Sequence, residues 1–490
     1  MSFLHASMVS RLGIATGCVL ATRGAPAAAV AASAFAFAAS VGPAPVHAAP
    51  AAVGGAPDLA WAGRCPADPA GRPAQACIPR HAHGACAGHA CVRVRLLHAF
   101  GAEPDDGRRP ADGLALGPDG ALYGAASGGG EHGFGRLFRL CVDGKETVLH
   151  DFRGRPGDGA DPQAPPTPDG AGGLVGTTHL GGAHGLGSVY RLDASGAMRL
   201  LHSFAGGPHD GAHPQAPLLR ARDGSFYGTT RDGGAHGAGL LFRLDPRGAY
   251  EALRSLGGGA DALADPIGAL AELDDGRIVA TASAGGRHGL GGVFDYRPGS
   301  RKLHTLVSLG AGSDCALPMA GLVRARDGRL IATAYAGGPD NAGCVFSVSD
   351  SGHYQVLYAL RGADDGAQPL SVPLEADDGS LYLSSSLGAA HGDGALLRLD
   401  VNGCPLVLHA FGRADVSVPS GALLRAADTR IYGTAPYGGT YDEGGIFVVF
   451  RPEPYAAGLA HAGGSLNAPE STPARPRAAC SPRSPRRSAP

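Results

Sequence analysis

The sequence predicts an all-β chain, a seven-bladed β-propeller of four-stranded blades closed by an N-terminal outer strand. Three observations carry this. One passage is written seven times between residues 94 and 452, with its landmark at Gly129-Gly130, Gly181-Gly182, Gly233-Gly234, Gly285-Gly286, Gly337-Gly338, Gly388-Ala389 and Gly438-Gly439. The steps between copies are 52, 52, 52, 52, 51 and 50 residues, the mark of a repeat architecture. Each copy holds four short apolar runs bounded by Gly, Pro or Asp, and four antiparallel strands repeated four to eight times make a propeller. A helical solenoid would show a 3.6-residue period, and a parallel β-helix would need a much shorter repeat.

The third copy, residues 200–248, shows the elements in order: strands over 200–204, 217–222, 225–230 and 240–245. Asp-Gly joins the second run to the third at Asp119-Gly120, Asp169-Gly170, Asp223-Gly224, Asp275-Gly276, Asp327-Gly328 and Asp378-Gly379. Glycine tolerates the positive φ of a tight hairpin. The seventh copy has Asp428-Thr429 there instead. A second hairpin signal follows the fourth run, at Asp143-Gly144, Ser195-Gly196, Arg247-Gly248, Pro298-Gly299, Ser351-Gly352 and Asn402-Gly403. The copies begin out of phase with a blade. Residues 95–100 open the first copy, while nothing similar follows 446–450, so the first strand is expected to cross over and complete the seventh blade.

The 490 residues divide into an expected signal peptide at 1–48, a Cys-rich segment at 49–92, the propeller at 93–452 and a disordered Pro/Ser/Arg tail at 453–490. Arg11 and Arg23 precede an Ala-rich apolar stretch at 27–41, and Val46-His47-Ala48 offers a small-residue cleavage site. An exported chain, periplasmic or extracellular, is expected, with no transmembrane segment after signal removal. Cys65, Cys77, Cys86 and Cys91 crowd behind the signal and are disulfide candidates, as are Cys315 and Cys344 within one copy. The alternative for the first group is a zinc or copper site with His81, His83 and His89. A net charge of −2 gives no reason to expect nucleic acid.

The recurring YGTT, GGAHGxG, LLFRL, LLHSF and DGAHP, as in Tyr227-Gly228-Thr229-Thr230 and Leu240-Leu241-Phe242-Arg243-Leu244, resemble the GloVer tandem-repeat family of secreted bacterial proteins. The resemblance covers all seven copies. It implies an exported or surface protein with varied C-terminal anchors and no established activity. Copy two is eroded, lacking the Tyr before Gly176 and carrying Pro165, Pro166 and Pro168 in its inner run, and residues 455–490 carry no apolar anchor.

With this strand order the GGAHGxG and DGAHP loops share one face, where propellers carry function. Its histidines, His132, His184, His236, His288 and His391, suggest a metal ring, but blades about 10 Å apart cannot share an ion that needs ligands at about 2.1 Å, so loop capping is favoured. Asp106, Asp158, Asp210, Asp314, Asp365 and Asp415 stand four residues before a Pro, and Asp261 five before Pro266. They read as turn devices, with calcium, for instance at Asp158 and Asp161, the lesser alternative. No cofactor and no metal residue are therefore assigned, zinc and calcium remaining the alternatives. Copies five and seven break the GGAHG pattern, so Asp340, Asn341, Tyr437, Tyr441, Asp442 and Glu443 are the ligand-binding candidates. No catalytic residue is assigned, since P-loop, nucleophile elbow and HExxH are all missing from the sequence. The function expected is a monomeric binding or scaffolding module for an unknown protein or glycan. The alternative is a propeller enzyme acting on carbohydrate or lactone.

Overall fold

A computed structural model describes residues 92–450, apart from 155, 311–313, 414 and 427. The signal peptide, the Cys-rich cluster of Cys65, Cys77, Cys86 and Cys91, and the tail lie outside the described residues. All regular structure within them is β-strand. No described helix is long and apolar enough to cross a membrane.

Seven antiparallel sheets follow one another along the chain as the blades of a propeller. In the third, Leu219–Arg220, Phe226–Thr230, Leu240–Leu244 and Tyr250–Ser255 pair in that spatial order. The first blade's sheet is extended by Gly107–Pro110, which pairs with Leu122–Gly129. In most blades the second and third strands are buried from end to end or nearly so, which is why they read as almost unbroken apolar runs. The innermost strand is the short one. It pairs over only two residues in most blades, and the prolines of copy two do not abolish it, since Thr167 still pairs with Val175.

The glycine of YGTT has a packing cause. A Cβ on Gly228 would lie 2.4 Å from the ring of Phe242, its partner on the next strand, and the same clash arises between Gly124 and Phe138 and between Gly433 and Phe447. The aromatic of the third strand thus lies flat across the second. The core is a series of layers between blades; one holds Tyr227 and Leu241 of the third blade against Ile278, Phe294 and Tyr296 of the fourth.

The ring closes as the phase of the repeat requires. Arg93–Ala99 pairs antiparallel with Gly445–Phe450, and Phe100, fully buried, packs with Leu122 and Phe138 of the first blade and Tyr432 and Ile446 of the seventh. Two turns differ from the repeat. Thr429 takes φ 65°, the left-handed conformation that glycine supplies in the other copies. In the fourth copy Arg301, with φ 53°, makes the outer turn, because Lys302 is the first residue to resume pairing.

Candidate functional site

The DGAHP and GGAHGxG loops meet on one face, joined by short ladders such as Gly211 with Gly233 and Ala212 with Asp232. Asp210 holds its loop: its carboxylate accepts from the amides of Ala205 (2.9 Å) and Gly211 (2.8 Å), from Tyr250 Oη (2.8 Å) and from His202 Nε2 (3.0 Å). Burial alone would raise its pKa, but these hydrogen bonds outweigh it and hold the group at about 2. Asp158 repeats the arrangement with His150 and the amides of Arg153 and Gly159, and Asp415 pairs with His409. These aspartates are turn devices, and Asp158, Asp210 and Asp415 each take as partner a histidine of the LLHSF strand that the sequence analysis did not single out, whereas Asp365 takes Tyr358 at the same strand position. Asp161 faces elsewhere, accepting from Gln163 Nε2 at 2.6 Å.

The five GGAHG histidines are exposed on the loop face. His236 lies against Gly258 and His391 against Gly412, in the loop that follows the outer strand. A tighter grouping sits at the closure, where ligand atoms of His98, Asp106 and Glu146 lie within 4.8 Å of one another. Arg136 already occupies that charge, 3.4 Å from Asp106, 3.5 Å from Glu146 and 3.0 Å from Asp151.

The pattern-breaking residues lie in two separate loops, with the sixth blade between them. Asp340 and Asn341 are exposed, and Asn341, at φ 53°, caps its own turn by accepting from the Gly337 amide at 2.9 Å. In copy seven Tyr441 and Asp442 are exposed, while Glu443 pairs with Arg108 at 3.2 Å. The half-buried Tyr437 accepts the Ser417 amide through its carbonyl at 2.7 Å. A Cβ on Gly101 would fall 2.7 Å from Glu443 Cγ, so this loop packs on the closing strand's exit and serves the seam of the ring. Cys315 and Cys344 are bonded, with Cα atoms 5.8 Å apart. Cys141 and Cys404 are each disulfide-bonded too, which the sequence analysis missed although both occupy the outer hairpin of their copies.

The most asymmetric feature was hidden in the DGAHP motif itself. The residue before its proline, Arg109, Asp161, His213, Asp265, Leu317, Gln368 and Val418 in turn, has φ between 53° and 60° in all seven copies. A non-glycine residue in that region costs about 1–2 kcal/mol, and a following proline biases it toward extended backbone. The strain is held by a hydrogen bond from each N–H to a carbonyl of the preceding copy's loop, as from His213 to Leu186 (2.8 Å) and Asp265 to Ala238 (3.0 Å). These seven positions form a ring where the inner strands begin. Four consecutive members are ionisable and three are not. No sequence periodicity signals a φ, so spacing alone could not expose the set.

The ionisable arc continues onto the ends of the second strands. His213 Nδ1 bonds Asp232 Oδ2 at 2.9 Å, and the His179 and His213 rings stand 5.0 Å apart. Burial, with His213 and Arg231 nearby, holds the His179 imidazole down at about 4. Burial raises Asp161 and Asp265, against the opposing pull of Gln163 and Arg109 on the first and of Arg231 on the second.

A profile of the Gloeobacter/Verrucomicrobia repeat matches residues 89–276 and again 258–447. The chain belongs to this repeat family. Comparison of this family member with the curated proteins finds no match. Among solved structures it is similar to a streptogramin B lyase, at 11% identity and TM-score 0.49, covering 74% of this chain and 98% of that one. A gluconolactonase from Xanthomonas campestris is 17% identical at TM-score 0.38, over 74% and 90%. TolB from Acinetobacter baumannii is 14% identical at TM-score 0.33, over 55% and 58%. None of these likenesses bears on what the repeat protein binds; the propeller stands on its own strand pairing.

Proposed function

We propose that this repeat-family propeller is an exported binding module that takes a saccharide at the axial mouth of its loop face. The observation that carries the proposal is the divided ring: Arg109, Asp161, His213 and Asp265 on one arc, Leu317, Gln368 and Val418 on the other. A sugar presents hydroxyl edges and apolar faces, and such a ring offers ionisable donors and acceptors on one arc opposite the uncharged Leu317, Gln368 and Val418. The four ionisable side chains would select hydroxyl geometry, and the backbone strain keeps them preorganised on a rigid scaffold. Export rests on Arg11, Arg23 and the apolar stretch that follows, together with the extracellular chemistry of a bonded Cys315–Cys344 pair.

A glycan screen on purified mature protein tests it. Asp265→Asn and Arg109→Ala should each weaken a discovered saccharide at least about tenfold, the scale of one lost charge-assisted hydrogen bond. Tyr441→Ala and Glu443→Ala read the second candidate site on the same face. Loss of binding only in the latter pair would move the site to the copy-seven loop. One observation favours the enzyme alternative, a carbohydrate or lactone hydrolase: Asp232 orients His213 as a general base is oriented. Turnover of a lactone or glycoside abolished in His213→Ala would establish that reading.

A further inference from the structure

We propose that His179 and His213 form a binding site for a borderline divalent metal ion of the zinc or copper(II) class. His213 Nδ1 faces the Asp232 carboxylate at 2.9 Å, so Nδ1 carries the proton and Nε2 keeps its lone pair. This is how a ligating histidine is oriented, a carboxylate fixing the tautomer from behind. Nδ1 of His179 is buried with no protein hydrogen-bond partner.

The rings are 5.0 Å apart and tilted by 39°. Nitrogens lie at the rim of a ring, so an ion needing Zn–N bonds of about 2.1 Å can be reached from both. The two histidines belong to neighbouring blades: His179 follows Leu174–Thr178, and His213 holds the strained position before Pro214. The buried Nδ1 of His179 is a nitrogen that no protein donor satisfies and that a metal ion would. Imidazole suits zinc and copper over calcium or magnesium. Arg231 brings a positive charge close to His179, opposed by Asp232, and two protein ligands leave the remaining coordination positions to water. The site stands whether or not a saccharide binds at the mouth, and its test contains no saccharide.

The experiment is calorimetric titration of the mature, full-length protein with zinc chloride, with metal content after dialysis measured by mass spectrometry. His81, His83 and His89 are replaced by Ala throughout to remove the N-terminal candidate. One equivalent should bind, and it should be lost or weakened more than about tenfold in His179→Gln and in His213→Gln. Asp232→Asn, which acts only through His213, should weaken it about ten- to a hundredfold. Circular dichroism without metal checks folding; His213 is 26% exposed in its side chain, so His213→Gln serves if His179→Gln fails to fold. An unchanged equivalent in both variants overturns the proposal, as does wild type with no zinc at 100-fold excess over the protein. Loss of the ion in His184→Gln/His236→Gln with both proposed ligands intact also overturns it and moves the metal to the outer loops.

Discussion

Arg95, near the start of the first strand, lies directly opposite Val448, near the end of the last, across an antiparallel ladder that joins the two ends of the ring. Without that strand Gly445–Phe450 becomes a free edge of unpaired amides and carbonyls. Deleting residues 93–100 also removes Phe100 from the layer between the first and seventh blades. Size-exclusion chromatography should find the deletion aggregated. A monodisperse, folded product would refute the closure.

Thr429→Gly should stabilise the protein. Thr429 holds φ 65° where six other copies place glycine, and a β-branched residue pays about 1–2 kcal/mol there, partly returned by the greater freedom of glycine in the unfolded chain. A gain of about 1 kcal/mol in urea unfolding is expected, and no gain would mean that the strain is relieved elsewhere.

Asp210→Asn should destabilise by about 1–2 kcal/mol at pH 7, the scale of a weakened network around a partly buried carboxylate. The folded group titrates at about 2, below its ordinary 3.8. Its contribution is therefore complete above pH 4 and lost as pH falls from 4 toward 2. Urea midpoints should drop over that window in the native protein and drop less in Asp210→Asn; parallel slopes would contradict the assignment.

Removing the Cys315–Cys344 bond in the double Ala variant should cost about 3–4 kcal/mol, from the loop of 29 residues it closes. Thiol titration of denatured, unreduced mature protein should also find Cys65, Cys77, Cys86 and Cys91 oxidised. Four free thiols there would reverse that expectation, and zinc bound with them would revive the metal reading of that segment.

The blade count, the strand order within each blade, the turns at Asp223-Gly224 and its equivalents, and the closing strand were all legible in the repeat. Each rests on local rules, a two-residue turn signal or an apolar run, that recur at fixed spacing. The shared face of the two loops followed from strand order alone. The repeat's departures were harder to read. Tyr441 and Glu443 broke the pattern as a binding loop would, yet they also pack at the seam beside Gly101, because only one of seven blades must accommodate a strand arriving from the other end of the chain.

By itself the sequence determined that this protein is a ring of seven like units and where the ring is joined, since period and phase are properties of the chain. What the units hold in common before the proline of each copy was decided only by the tertiary structure. Arg109, Asp161, His213 and Asp265 lie roughly fifty residues apart and share no residue type; they become one arc because the same strained backbone is hydrogen-bonded into place in consecutive blades. The pairing of His179 with His213 likewise spans two copies. Side chains that meet across blades depend on how one sheet packs on the next, and no local rule carries that information.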